Sequence, residues 1–130
     1  MNISISEYRK MIKKKAGKKI SSLEKIVQAE FRLSPDIVII STQPAFEIVP
    51  GFTRNKRKYQ SIKYTADFHI KECGKDIIVE VKSTGVLRAN KKSYPMRRKL
   101  FLRFLTDNFP EFIFREIIFD DRKNRTVKEY

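Results

Sequence analysis

Two strand-like segments, Tyr64 to Ile70 and Asp76 to Lys82, flank a short turn at Cys73-Gly74, and this pair constrains the chain more than any other feature. Alternating runs joined by a glycine-containing turn predict an antiparallel hairpin. Strand periodicity puts Thr65, Asp67 and His69 on one face of the first run, and Ile78, Glu80 and Lys82 on one face of the second. With the turn centred between Cys73 and Gly74, Asp67 falls directly opposite Glu80, and Lys82 falls one pleat away opposite Thr65. Such neighbours have Cβ atoms roughly 4.5–5.5 Å apart, and like charges placed so are destabilising. A cation between the two carboxylates would remove the conflict.

The flanking sequence predicts helices on either side of these strands. Ser21-Ser22-Leu23-Glu24 fits a capping box, with Ser21 as N-cap and Glu24 reaching back to its amide. Leu23, Ile26, Val27 and Phe31 follow at helical spacing, so a first helix is expected to run to about Leu33, where Ser34-Pro35-Asp36 ends it. Ile37 to Ile40 reads as a short strand and Gln43 to Pro50 as extended chain closed by a Pro50-Gly51 turn. Arg54 to Lys58 reads as a loop, and Ser83 to Asn90 as another, with Gly85 a breaker. A second helix is expected from Ser93-Tyr94-Pro95 to a point before Pro110, with Met96, Leu100, Phe101, Phe104 and Leu105 as its apolar stripe. Phe112 to Phe119 is expected to be a buried strand. The expected organisation is a basic N-terminal arm over 1–20, one folded domain over 21–119, and a loose polar C-terminal tail over 120–130. The order suggests an α/β fold, a mixed sheet flanked by helices.

Composition narrows the function. The 130 residues carry 29 Lys and Arg against 15 Asp and Glu, a net charge of +14. Self-repulsion on that scale opposes compactness and commonly serves to attract polyanions, nucleic acid first. Ten Phe and five Tyr supply a real core. One Cys excludes an internal disulfide framework and a cysteine-built zinc site. No apolar run approaches the roughly 18 residues of a membrane span, and the basic N-terminus lacks a signal-peptide pattern, so a soluble intracellular protein without a membrane partner is expected. The bases cluster in the segment Arg9 to Lys19, in Arg54 to Lys58, and in the acid-free stretch from Ser83 to Thr106. Candidate nucleic-acid contacts are therefore Lys13, Lys14, Lys15, Lys18, Lys19, Arg54, Lys56, Arg57, Lys58, Lys91, Lys92, Arg97, Arg98 and Lys99. Nothing in the sequence forms a base-reading motif, so recognition of DNA shape is expected. His69 reads as a solvated strand histidine rather than a substrate contact, and Cys73 as incidental.

Two carboxylates and a lysine on adjacent strands suit metal-assisted phosphodiester hydrolysis. Mg²⁺ takes oxygen ligands and keeps positions for water and phosphate; it polarises the phosphate and acidifies a bound water. An ammonium beside it can orient that water or stabilise charge developing on the phosphate.

The arrangement of Asp67 and Glu80-Val81-Lys82, after a helix bearing Ser-x-x-Glu, resembles the PD-(D/E)xK nuclease superfamily, with Ala66 at the position where that motif often has Pro. Gln43-Pro44-Ala45-Phe46, Pro50-Gly51-Phe52, Ile62-x-Tyr64-x-Ala66-Asp67-Phe68 and the residues leading to Lys82 are similar to small phage-encoded members, among them phage endodeoxyribonuclease I, a Holliday junction resolvase. The resemblance spans about Ser21 to Ile118. It implies a restriction-endonuclease-like fold with an α-β-β-β-α-β core, and a Mg²⁺-dependent endonuclease, with Mn²⁺ able to substitute, acting on branched or duplex DNA in the cytoplasm of a bacterial host. It implies Asp67 and Glu80 as metal ligands, joined by the Val81 carbonyl, with Lys82 as catalytic lysine and Glu24 supporting the metal or its water. Helical periodicity by itself would choose Glu30, which falls amid Leu23, Ile26 and Val27, as the inward carboxylate. Junction cleavage needs two cuts, which implies a homodimer. A nuclease with another target (transposon end, restriction or RNA) and a non-catalytic basic DNA-binding module are the alternatives.

Overall fold

A computed structural model describes residues 20–130. Most of the basic arm, including Lys13, Lys14, Lys15, Lys18 and Lys19, lies outside the described residues. Helix α1, Ser22–Leu33, starts where expected: Ser21 is the N-cap and its Oγ accepts the Glu24 N–H at 3.3 Å. Ser34 leaves the helix in an extended conformation, as a residue preceding proline tends to. The inward face differs from the periodic reading. Glu24, Val27 and Phe31 are buried, while Ile26 is exposed and Glu30 faces solvent.

Nine strands follow in the order β1 Ile37–Thr42, β2 Ala45–Val49, β3 Phe52–Arg54, β4 Arg57–Tyr59, β5 Ile62–Thr65, β6 Phe68–Glu72, β7 Lys75–Ser83, β8 Ile113–Phe119 and β9 Arg125–Glu129. Helices α2, Thr84–Ala89, and α3, Ser93–Asn108, join β7 to β8. Five strands form the central sheet in the order β1-β6-β7-β8-β9. The β7–β8 pair is parallel and the others antiparallel; the α2–α3 segment supplies the long crossover that a parallel pair requires. The architecture is mixed α/β.

The β6–β7 hairpin has the expected register, with Phe68 opposite Val79 and Glu72 opposite Lys75. Cys73 and Gly74 both have positive φ, 50° and 81°, the geometry of a two-residue turn whose twist matches the strands. Its first strand is nevertheless shorter than expected. The chain breaks at Ala66-Asp67, and Tyr64 and Thr65 belong to β5. Thr42 lies opposite Phe68 and Ala45 opposite Thr65, so one antiparallel ribbon runs through both pairs and kinks between them. At the kink Gln43 has φ 53° and donates its N–H to Asp67 O at 2.8 Å, while Ala66 donates to Pro44 O at 3.0 Å. Pro44 has no N–H to extend the ladder.

The two faces of the sheet are covered by different helices. On one, Val27 and Phe31 of α1 pack on Phe68, Ile70, Ile77, Val79, Val81, Ile117 and Phe119. On the other, Phe101 and Leu105 of α3 pack with Phe46, Tyr64, Ala66, Ile78, Phe109 and Phe114. Phe101 stacks on Tyr64 with ring centroids 4.2 Å apart.

Several expectations need correction. Arg54 to Lys58 is the tip of the β3–β4 hairpin, not a loop. Ser83 caps a six-residue helix with its Oγ on the Val86 N–H at 3.1 Å, so Gly85 breaks nothing. In α3, Met96 and Leu100 are exposed, whereas Tyr94, Phe101 and Leu105 are buried. The tail from 120 to 130 is not loose: β9 pairs with β8 from Arg115–Glu129 to Phe119–Arg125, so the folded unit extends past residue 119.

Candidate active site

Asp67 follows the ribbon kink, and that position defines its chemistry. Its N–H donates to Val79 O at 3.1 Å, and its Oδ2 accepts the Val81 N–H at 2.6 Å. The side chain thereby takes the place of a ladder bond just where the strands part. Only 6% of Asp67 is exposed, with Glu24 at 8% and Glu80 at 3%. Three acids from three elements thus meet at one buried locus. Glu24, at the first turn of α1, shares a hydrogen bond with Asp67, and the Glu80 charge acts on both Asp67 and Tyr64. Burial, reinforced by the Glu80 charge and by Glu24, pushes the Asp67 carboxyl up to about 9 against the opposing pull of the Val81 N–H.

Of the two helix carboxylates, the structure brings in Glu24. Glu30 makes a two-bond ion pair with Arg125 of β9, both distances 2.6 Å. Only the Ser21 half of the capping box is built around Glu24, whose carboxyl is engaged with Asp67. Lys82 lies within 3.6 Å of Glu80 Oε2, its Nζ 4.9 Å from the Tyr94 ring centroid. A cleft of about 80 Å³, lined by Lys82, Val86, Leu87, Asn90, Ser93, Tyr94 and Arg97, opens beside it. Among the described residues no three or more His, Cys, Asp or Glu side chains stand at the spacing of a metal cage; Asp67 is turned to the Val81 N–H and shares a hydrogen bond with Glu24.

Three groups that sequence reasoning missed complete the site. Glu116 is fully buried and sits beside Glu80 on the parallel β7–β8 ladder. It is satisfied by Tyr94 Oη and Tyr130 Oη, each 2.5 Å away, and by Arg98 Nη1 at 3.2 Å. Tyr64 is buried next to Glu80 and Tyr94, and burial together with the Glu80 charge raises its phenol far above the usual range. Burial raises the Tyr94 phenol in the same direction, helped by Glu116. The signal for Glu116 was available: an acid inside the apolar run from Phe112 to Phe119 is rarely buried without paired partners.

Two other assignments change. His69 is buried, not solvated, with Nε2 2.9 Å from Asp76 Oδ1, and burial lowers its pKa against the pull of Asp76. Arg98 is half-buried and paired with Glu116, whereas Arg54, Lys56, Arg57, Lys58, Lys91, Lys92, Arg97 and Lys99 are exposed.

The fold and site therefore define a small mixed α/β domain with a buried acidic cluster and an adjacent lysine beside a parallel strand pair. Residues 4–121 match the family described as "Protein of unknown function (DUF1064)", and the chain belongs to that family. No curated protein matches it in sequence. A solved structure titled "Crystal structure of SSO0001" is similar at 18% identity and a TM-score of 0.48, over 82% of this chain and 48% of that one, so the chain spans about half its length. No helix among the described residues is long and apolar enough to cross a membrane.

Proposed function

We propose that the protein is a metal-dependent, structure-selective DNA endonuclease of the PD-(D/E)xK type, with a restriction-endonuclease-like core, that cuts branched DNA as a phage Holliday junction resolvase does. The observation that carries this reading is the convergence of Glu24, Asp67 and Glu80 from α1, the ribbon kink and β7, with Lys82 beside them. The donor set fits a hard divalent cation in kind. All its members are oxygens, and buried like charges without a counterion are costly. Asp67, Glu80 and the Val81 carbonyl would hold Mg²⁺ or Mn²⁺, with Glu24 beside them. Such an ion supplies Lewis-acid polarisation of the phosphate and a nucleophilic water at neutral pH.

The chain's own residues do the rest. Asp67, whose carboxyl burial holds protonated in the metal-free fold, would have to release that proton to serve as a ligand. Lys82, held over the Tyr94 ring, orients the attacking water or stabilises charge on the scissile phosphate. Arg97, Lys91, Lys92 and Lys99 on and before α3, with the basic tip of the β3–β4 hairpin, supply sequence-independent phosphate contacts. Two cuts at one junction require a homodimer.

Labelled four-way junction, flap, linear duplex and RNA incubated with Mg²⁺ or Mn²⁺ test the reading. Metal-dependent cutting with a preference for the junction supports it. Equal cutting of every duplex removes the junction assignment, and salt-sensitive binding without cutting leaves a DNA-binding module.

A further inference from the structure

From Ile48 to Ala66 the chain carries five bases, Arg54, Lys56, Arg57, Lys58 and Lys63, and no acid. Four of them lie on the β3–β4 hairpin, whose two strands pair with each other in a sheet of their own. Phe52 lies opposite Tyr59, Thr53 opposite Lys58, and Arg54 opposite Arg57. Alternation therefore gathers Phe52, Tyr59, Arg54 and Arg57 on one face and leaves Thr53 and Lys58 on the other.

That face is built against its own stability. Arg54 and Arg57 are direct cross-strand partners, an arrangement that destabilises a hairpin, and neither has an ion-pair partner among the described residues. The turn residues Asn55 and Lys56 have φ 50° and 63°, so a lysine occupies a left-handed position that favours glycine. Phe52 and Tyr59 stack with centroids 4.9 Å apart and planes 13° apart, yet they remain 52% and 45% exposed. Beside them opens a recess of about 340 Å³, lined by Gly51, Phe52, Thr53, Lys58, Tyr59 and Gln60. Gly51 lets the strands approach closely there: a Cβ would meet Tyr59 O at 3.1 Å and crowd it by a few tenths of an ångström.

We propose that this hairpin takes an unpaired nucleobase against the Phe52–Tyr59 pair while Arg54 and Arg57 hold the phosphates on either side of it. The proposal rests on the reading of nucleic acid as substrate, and it gives that reading a source of structural selectivity. An aromatic face stacks on any base, so it discriminates by accessibility rather than sequence. Bases inside a continuous duplex are covered by their neighbours, whereas a base at a bulge or branch point can leave the stack. Phosphates on either side supply the counter-charge that the opposed arginines lack.

The test is metal-free binding of the full chain, in EDTA, to two duplexes differing only by one bulged 2-aminopurine. Wild-type protein is expected to bind the bulged duplex about tenfold more tightly and to quench the probe. Phe52→Leu with Tyr59→Val, which keeps apolar strand residues but removes the rings, should bring the bulged duplex down to the affinity of the paired one and leave the latter unchanged. The exchange Phe52→Tyr with Tyr59→Phe, which keeps both rings, should retain the preference, separating ring loss from hairpin loss. Arg54→Gln with Arg57→Gln should weaken both duplexes and lower the salt slope by about 2. A wild-type protein without bulge preference, or a ring-less variant that either keeps the preference or loses affinity equally on both duplexes, would overturn the proposal. Because no cleavage is read, these outcomes are independent of nuclease activity, whose failure would appear only in Mg²⁺ with binding intact.

Discussion

Asp67 Oδ2 accepts the backbone N–H of Val81 at 2.6 Å, across the point where the β5–β6 run kinks away from β7. One carboxylate thus replaces a missing ladder bond and stands among Glu24 and Glu80. Its stability consequence has a definite sign. Because the Asp67 carboxyl is pushed up to about 9 in the fold, the native state keeps a proton that the unfolded chain loses near pH 4. The contribution is full below about pH 4 and is lost as pH rises towards 9. Asp67→Asn keeps an acceptor for Val81 without the charge. In the metal-free protein it should be more stable than wild type at pH 8, by several kcal/mol (on the order of 5), with a much smaller difference at pH 4.5. Urea unfolding at the two pH values checks this; an equal difference at both would contradict it.

Glu116 is held by Tyr94, Tyr130 and Arg98, so the last residue of the chain anchors a buried acid next to Glu80. Tyr130→Phe removes one hydrogen bond and should cost about 1 kcal/mol. Glu116→Gln leaves Arg98 without its counter-charge and should cost about 3 kcal/mol. Chemical unfolding of both variants provides the comparison, and a larger loss for Tyr130→Phe would show that the network is organised differently.

Glu24 and Glu30 occupy the same helix in different environments, so they separate cleanly by mutation. Glu30→Gln disrupts an exposed pair with Arg125 and should cost less than about 1 kcal/mol with unchanged turnover. Glu24→Gln should slow cleavage by about a hundredfold or more. Single-turnover cleavage measures both, and reversed effects would return the assignment to Glu30.

Lys82→Met keeps an apolar stem on Tyr94 and removes the ammonium. Cleavage should fall by about a hundredfold to a thousandfold, while metal-free DNA affinity changes little. A variant that loses both in proportion would place Lys82 in binding rather than in the chemical step.

How much of this was legible in the sequence differs from element to element. The β6–β7 register followed from a turn centred on Cys73-Gly74, because a two-residue turn fixes pairing locally. Helix α1 followed from Ser21 and Pro35 for the same reason: caps and breakers are short-range signals. The kink at Gln43-Pro44 and Ala66-Asp67 did not, since it depends on two segments that meet only in the folded ribbon. Strand β9 is exposed along its length and so leaves no alternating apolar pattern. It is held by its ladder with β8 and by ion pairs such as Arg115–Glu129 and Arg125–Glu30. The β3–β4 tip was hidden because its turn uses Asn55 and Lys56 rather than glycine. Asp67, Glu80 and Lys82 were visible as a pattern, and Glu24 only through resemblance, because its place on the helix wheel is decided by what α1 packs against.

The central claim is that Glu80 belongs to a metal-dependent hydrolytic centre. The most direct measurement is single-turnover cleavage of an end-labelled four-way junction in Mg²⁺ by wild type and Glu80→Ala, at concentrations where both are fully bound. Wild-type protein should cut the junction, and Glu80→Ala should bind it with the same salt dependence and leave it intact. Cutting by Glu80→Ala at the wild-type rate, or no cutting of any DNA by wild type in Mg²⁺ or Mn²⁺, would contradict the claim.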